Sequence, residues 1–422
     1  MKAYIRTYGC TLNQADSDIM RSVLERESIG IAGSEADADV VIVNTCTVKN
    51  ATSQKILDKL KDLGRSGKKV VVTGCMAGAN KDTIEKYAPY ASIVTAPNMD
   101  EIGSAVAGAN SGNRVVLDRY KKTDRLALLE PRNSVIARIP ISDGCASSCS
   151  FCETKYARGP LNSFPERSIL NSIEYSIKRG AREIQVTSQD IGAYGMDKNT
   201  NIVELMDRIR MIDGDFIVRV GMLNPEHLNR YFDGYVESLK DRRFYRFAHI
   251  PIQSGSDRVL RDMRRNYKID EMERYMKEMR SRIPGITIET DMIVGFPTET
   301  DGDFDETVEF VRRARPEVTN ISRFGARPHA GASRMEQNTA ETINFRSAEL
   351  SRVVRHVQRE INSAHIGSRQ DVLITESNSK SFNGRNTGYR QVVMPIESHG
   401  SALLGATRNV LIKAVSANVL YA

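Results

Sequence analysis

The chain has 422 residues, 40% of them hydrophobic, with 60 Lys/Arg against 53 Asp/Glu and only six cysteines. That length suits two or three domains with cores of their own, the sparse cysteines exclude a disulfide framework, and the lack of any apolar run of about 18 residues excludes a membrane-spanning helix. The modest basic excess permits an RNA partner without requiring one, and the opening MKAYIRTYGC lacks the basic flank and apolar segment of a signal peptide, so a cytoplasmic location is expected.

From residue 1 to about 98, strand and helix alternate: KAYIRTYGC, helical DSDIMRSVLERES, DVVIVNTC, helical KNATSQKILDKLKDLG, KKVVVTGC, then a helix around NKDTIEKYA. Short apolar runs between segments of helical period predict a small doubly wound parallel sheet covered on both faces. Cys10, Cys46 and Cys75 fall at the carboxyl ends of its three strands, with 35 and 28 residues between them. The carboxyl ends of parallel strands share one edge, where ligands bind, so three residues distant in sequence are expected to converge there. One buried apolar cysteine is commonplace. Three at equivalent positions, each preceded by Gly or by Asn-Thr, argue for a shared role.

The polar passage GANSGNRVVLDRYKKTDR reads as a linker. From about Ser134 the strands VIARIPI, EIQVTS, FIVRVGML, FAHIPIQS, ITIETDMIVGFP and VTNISRFG alternate with helical stretches such as DRVLRDMRR and DETVEFVRRARP. Six strands with their helices predict a partial (β/α)6 barrel, with functional residues at the strands' carboxyl ends. From about Gly367, DVLITES, RQVVMP, ALLGATRNVLIKAV and NVLYA read as short strands of a small antiparallel β-barrel. Residues 361–422 hold six Lys/Arg against three Asp/Glu. The expected domains are 1–110, 131–360 and 361–422.

The stretch DGCASSCSFC sets Cys145, Cys149 and Cys152 in the spacing C-x3-C-x2-C. Zinc normally takes four protein ligands, usually including histidine at a catalytic site, and none of the six histidines is near this triplet. Three thiolates suit a [4Fe-4S] cluster whose fourth iron stays open. A zinc knuckle or a redox loop is the alternative.

Following the first strand of a partial barrel, this motif resembles the radical S-adenosylmethionine (SAM) enzymes. The resemblance implies that SAM occupies the open iron and that one electron cleaves it to a 5′-deoxyadenosyl radical. The resemblance extends over nearly the whole chain. An N-terminal domain with three cysteines in the contexts TYGCTLNQADSD, VNTC and TGCMAG, a radical SAM barrel and a terminal small barrel is similar to the methylthiotransferases, whose last module is called TRAM. That likeness implies a second [4Fe-4S] cluster on Cys10, Cys46 and Cys75, which holds the sulfur, and two SAM molecules consumed per product, one as methyl donor and one as radical source.

Further residues carry over by position. Phe151 matches the aromatic whose backbone touches adenine, and Ser188, Gln189 and Asp190 in TSQDIGAYG match polar groups for the SAM amine. Arg219 in VRVGMLNP, and Gln253 with Ser254 in HIPIQSGS, stand where the carboxylate and ribose are met; Val294 to Pro297 match the lining of the adenine pocket. ETKYARGPLNSFP resembles the branch of the family that modifies threonylcarbamoyl-adenosine beside the anticodon of tRNA, and implies that Lys155 and Arg158 meet the threonyl carboxylate or phosphates at the barrel mouth. Arg385, Tyr389 and Arg390 in GRNTGYRQV offer cations and an aromatic for the anticodon stem-loop. ARPHAGASRM departs from the family pattern, with His329 where glycine is usual. The expected partners are tRNA, SAM and an unidentified electron donor, around a monomer with no membrane contact. The same chemistry on another tRNA adenosine derivative or a ribosomal protein side chain, and a non-catalytic RNA-binding iron–sulfur protein, are the alternatives.

Overall fold

The computed structural model describes residues 1–47, 50–396 and 404–422. Its first unit is a six-stranded, all-parallel sheet of β1 (Lys2–Thr7), β2 (Gly30–Ile31), β3 (Val40–Thr45), β4 (Lys69–Gly74), β5 (Ser92–Val94) and β6 (Val116–Leu117), in the order β2-β1-β3-β4-β5-β6. Alternation along β3 shows why both faces are covered. Val40 and Ile42 pack among Met20, Leu24, Ile102 and Val106, whereas Val41 and Val43 pack among Ile56, Leu60 and Ile84 on the other side.

One expectation is corrected here. Part of the passage read as a linker is β6, in which Val116 and Leu117 pair with Ile93 and Val94. A short apolar run among charged neighbours suffices for an edge strand, because its partner β5 supplies the register.

The second unit holds β7 (Ile136–Pro140), the two-residue strands β8 (Ser142–Asp143) and β9 (Asn162–Ser163), then β10 (Glu183–Thr187), β11 (Ile217–Val220), β12 (Phe247–His249), β13 (Thr287–Val294) and β14 (Val318–Arg323). Two parallel three-stranded sheets, β11-β10-β7 and β12-β13-β14, are joined by the parallel bridges Val218 to Phe244 and Met222 to His249. The six long strands form the expected partial barrel, with Ile184, Val186, Val218, Val220, Ala248 and Ile288 turned toward the surrounding helices. The antiparallel pair β8–β9 brackets the Cys145–Cys152 loop at the carboxyl end of β7.

The long helix Ala340–Ser363 leads into the third unit: β15 (Arg369–Ser377), β16 (Ser381–Asn386), β17 (Gln391–Pro395), β18 (Thr407–Leu411), β19 (Ala414–Val415) and β20 (Leu420–Tyr421). They form one curled sheet in the order β18-β15-β16-β17-β20-β19. It is antiparallel except for β17 and β20, which run parallel. The strand expected over ALLGATRNVLIKAV divides into β18 and β19; its residues 402–403 lie outside the described residues. Strand β16 was not expected, since Phe382 is its only large apolar residue. Among the described residues no helix is long and apolar enough to cross a membrane.

Candidate functional site

Cys10, Cys46 and Cys75 each follow the end of a strand, β1, β3 and β4, at one edge of the first sheet. The Cys10 and Cys75 thiols both donate to Asn13 Oδ1, at 3.7 and 3.9 Å. Asn13 in turn donates through Nδ2 to Tyr8 O at 3.0 Å and Thr45 O at 2.7 Å, so one buried amide ties the loops after β1 and β3. A Cβ at Gly9, whose φ is +111°, would lie 3.0 Å from Cys46 Cβ, which fixes glycine beside Cys10 and brings Cys46 against it. Asn13 was missed from sequence because nothing local distinguishes it from another polar residue of an amphipathic helix.

Cys145, Cys149 and Cys152 occupy the loop bracketed by β8 and β9. Ser150 anchors that loop to the barrel: its N donates to Met263 O at 3.1 Å, its Oγ to Asp262 O at 2.7 Å, and its carbonyl accepts from Ala332 N at 2.7 Å. Thr154 N donates to Cys152 Sγ at 3.4 Å. None of the six cysteines is in a disulfide. Burial pushes Cys75 and Cys145 up to about 12, so without metal these two are protonated at neutral pH, and a bound metal must displace the protons. Two sets of three cysteines on converging loops, with N–H donors aimed at Cys152 and Cys75, fit two open-cornered [4Fe-4S] clusters.

Between the triplets lies a buried ring of charges. Arg158 Nη2 meets Asp16 Oδ2 at 2.5 Å and its Nη1 meets Asp143 Oδ1 at 3.2 Å. Arg125 meets the other oxygens of the same two carboxylates, at 2.7 and 2.9 Å. Arg158 also donates through Nε to Cys75 Sγ at 3.2 Å. Asp16 stands on the helix after Cys10, and Asp143 stands two residues before Cys145. The ring therefore locks the first unit to the barrel. Gly78 serves the same junction, since a Cβ there would lie 2.2 Å from Ala157 O. This corrects the expectation for Arg158: it is fully buried and saturated, not a free cation at the mouth. Lys155, in the same short helix Thr154–Arg158, is exposed.

The residues expected to hold SAM divide in two. Asp190 is spent on structure: Oδ1 accepts from Gly192 N and Asn224 N, both at 3.0 Å, and Oδ2 lies 2.8 Å from His227 Nδ1. Ser188 Oγ accepts from Asp190 N at 3.1 Å. Ser254 is wholly buried, with Oγ accepting from Ser256 N and facing Thr307 on an outer helix. Arg219 points at the terminal sheet, its guanidinium 5.2 and 5.7 Å from the ring centres of Phe247 and Tyr389. The expectations for Asp190, Ser188 and Ser254 are corrected because their polar atoms are held by protein neighbours, and that for Arg219 because its guanidinium lies among the Phe247 and Tyr389 rings, with its buried Nε lacking a hydrogen-bond partner among the described residues. Gln189 differs: its Nε2 reaches Asp143 at 3.4 Å while its buried Oε1 has no partner. Gln253, at the bridge to Met292, holds φ of +77°, a strained conformation for a residue other than glycine. Phe151 packs against Val259, Met263 and Phe296 beneath the Arg265 guanidinium, 5.4 Å away. Val294, at the end of β13, is fully buried.

Inside the barrel, His249 Nε2 lies 2.9 Å from Asp291 Oδ2 and 3.9 Å from Glu289 Oε1. Asn320 Nδ2 donates to both carboxylates, at 2.7 and 2.9 Å.

The expectation for the terminal sheet also changes. Tyr389, in a turn with φ of +62°, inserts its ring beside Tyr245 and Phe247, 4.8 and 4.9 Å between centres, and its hydroxyl accepts from Gln185 Nε2 at 3.2 Å. It plugs the amino end of the barrel and presents no face to a base. Arg390 donates to Asn362 Oδ1 of the long helix. Arg385, half-buried with its Cζ 4.9 Å above the Tyr389 ring, alone of the three opens onto a cleft, shared with Arg182 and Arg242.

Comparisons with known proteins agree with this arrangement. Residues 2–96 match the family described as "Uncharacterized protein family UPF0004", and residues 139–311 match the radical SAM superfamily. The chain is 37% identical over 415 residues to a probable threonylcarbamoyladenosine tRNA methylthiotransferase of Pyrococcus abyssi, covering 97% of each chain. It is 40% identical to the Archaeoglobus fulgidus protein of that name, covering 93% of each. It is 36% identical to the threonylcarbamoyladenosine tRNA methylthiotransferase of Homo sapiens, covering 93% of this chain and 69% of that one. Among solved structures, the radical SAM methyltransferase TsrM from Kitasatospora setae shares the fold, with a TM-score of 0.57 at 15% identity over 79% of this chain and 76% of that one. With two cysteine triplets on the two matched units and near full-length likeness to these enzymes, the chain belongs to the radical SAM methylthiotransferase family.

Proposed function

We propose that the chain adds a methylthio group to carbon 2 of N6-threonylcarbamoyladenosine beside the anticodon of tRNA. The observation that carries this reading is the junction of the two cysteine triplets through Arg158, which touches Cys75 on one side and Asp143, two residues from Cys145, on the other. A radical-making centre and a sulfur-holding centre must serve one substrate atom, and this ring holds their loops together. A cluster on Cys145, Cys149 and Cys152 would supply the electron that cleaves SAM, and a cluster on Cys10, Cys46 and Cys75 would hold the sulfur to be transferred.

The protein's own residues bind and orient. Gln189 offers a buried, unpaired acceptor for the SAM amine, Phe151 and the buried end of β13 at Val294 line the adenine side, and Gln253 is held in its strained turn at the end of the fourth barrel strand. Lys155 stands exposed at the mouth for the substrate's carboxylate or phosphates, and Arg385 supplies a further cation at the terminal sheet. We take 1–110 as the sulfur-holding domain, 131–360 as the radical domain and 361–422 as a TRAM-type module. The enzyme works as a cytoplasmic monomer fed by a separate electron donor.

The test is mass spectrometry of tRNA nucleosides from cells lacking the protein. Loss of the 2-methylthio derivative, with its threonylcarbamoyl precursor retained, is expected. Loss of methylthiolation from another adenosine derivative or from a ribosomal protein, with this nucleoside intact, contradicts the reading.

A further inference from the structure

With the Tyr389 ring packed against Tyr245 and Phe247 and Arg158 locked in the charge ring, one aromatic and one cation first expected to grip RNA are committed elsewhere. A different pair of rings stands at the other end of the barrel. Tyr156 and His329 stack face to face, with centroids 3.6 Å apart and planes 8° from parallel. Tyr156 is 60% exposed, so one large aromatic face meets water without protein cover.

Both rings belong to the rim of the cysteine site. Tyr156 lies four residues after Cys152, on the short helix Thr154–Arg158 whose opposite side, Ala157 and Arg158, is buried against the first unit. His329 lies in the loop after β14, and that loop is pinned to the cysteine loop by the bond from Ala332 N to Ser150 O at 2.7 Å. Cations flank the pair. Lys155 is exposed, and the half-buried Arg327 side chain makes no hydrogen bond among the described residues. Arg327 stands two residues before His329 in the same loop.

We propose that the Tyr156–His329 pair is a stacking platform for an unpaired base of the tRNA anticodon loop, with Lys155 and Arg327 taking the adjoining phosphate or carboxylate. Bases in such a loop are already splayed from a duplex, and every base offers a π face to an aromatic ring. Two rings stacked on each other present that face with little rotamer freedom left to lose. The same cations disfavour a basic ribosomal protein as occupant. His329, the departure from the family pattern noted in the sequence, supports the Tyr156 ring from behind.

The proposal rests on the tRNA reading, and the experiment separates the two. The probe is an anticodon stem-loop RNA carrying 2-aminopurine at successive loop positions, titrated anaerobically into enzyme whose iron content equals wild type. Fluorescence at one position should be quenched beyond the change on mixing with other positions. Tyr156→Ala should abolish that quench and weaken binding roughly 5- to 150-fold. Tyr156→Phe, which keeps the π face, should bind within about twofold of wild type, and His329→Gly should lie between. Equal binding or an undiminished quench in Tyr156→Ala overturns the platform while leaving the tRNA reading intact. A wild-type enzyme that binds no anticodon RNA overturns both.

Discussion

Arg158→Met removes one member of the buried ring and leaves Asp16 and Asp143 to share Arg125 alone. The lost guanidinium contacts are those to Asp16 at 2.5 Å, Asp143 at 3.2 Å, Asn13 at 3.3 Å and Cys75 at 3.2 Å. No side chain of the four ring members is more than 8% exposed, so water does not replace what is removed. Breaking a buried pair from one side costs about 3–5 kcal/mol, because the orphaned charge keeps its desolvation penalty. Arg125 still holds an oxygen of each carboxylate, which places the expected loss near the lower end, about 3 kcal/mol. Arg313→Met is the control, since its pair with Glu273 sits at 54% and 27% exposure and is worth about 0–1 kcal/mol. The assay is urea unfolding of the metal-free, reduced protein followed by far-ultraviolet circular dichroism. Adding Asp16→Asn to Arg158→Met should cost less than the sum of the single changes, with about 1–3 kcal/mol of coupling. If Arg158→Met cost no more than Arg313→Met, the ring would not join the two units and the reasoning from its burial would fail.

Anaerobic reconstitution should load about eight irons per chain, and replacing Cys145, Cys149 and Cys152 together by Ala should leave about four; a triple variant without iron contradicts two independent sites. Tyr389→Ala should destabilise by about 3–5 kcal/mol, whereas Tyr389→Phe loses only the Gln185 hydrogen bond, about 1 kcal/mol. If Tyr389→Phe or →Ala instead weakened RNA binding at unchanged stability, the plug described for that ring would be wrong. Asp303 carries the acid-sensitive prediction: burial pushes its carboxyl up, but Arg258 and the Thr300 and Ser256 hydrogen bonds outweigh it and hold the group well below the usual carboxylate range. The stabilisation is therefore complete above about pH 4 and is lost as pH falls further. Wild type should exceed Asp303→Asn in stability at neutral pH by a margin that shrinks below about pH 4; a margin independent of pH contradicts the assignment.

The strands and cysteines were legible in the sequence because their signals are local. Apolar runs ending in Gly-Cys or Asn-Thr-Cys mark strand ends, and C-x3-C-x2-C lies within one loop. Arg158 was misread because its partners are remote: Asp16 lies 142 residues away and Asn13 145. Nothing beside Arg158 shows that it is buried. Tyr389 was misread for a related reason, since a positive φ in the turn between β16 and β17 points its ring into another unit. Ser188, Asp190 and Ser254 sit in the loops where family likeness puts them, yet their side chains hold the loops in shape. Tyr156 was visible only as one residue of a motif. Its stacking on His329, 173 positions later by number, needed the fold to bring the two loops together.

The most direct test of the two-centre assignment is a paired measurement on an anaerobic reaction with threonylcarbamoyladenosine-containing tRNA. 5′-Deoxyadenosine and the 2-methylthio nucleoside are quantified from the same sample for wild type, Cys149→Ala and Cys46→Ala. Wild type should form both and Cys149→Ala neither. Cys46→Ala should still form 5′-deoxyadenosine but no methylthio product. Normal methylthiolation by Cys46→Ala would contradict the role given to the first triplet, and 5′-deoxyadenosine formed by Cys149→Ala would contradict the role given to the second.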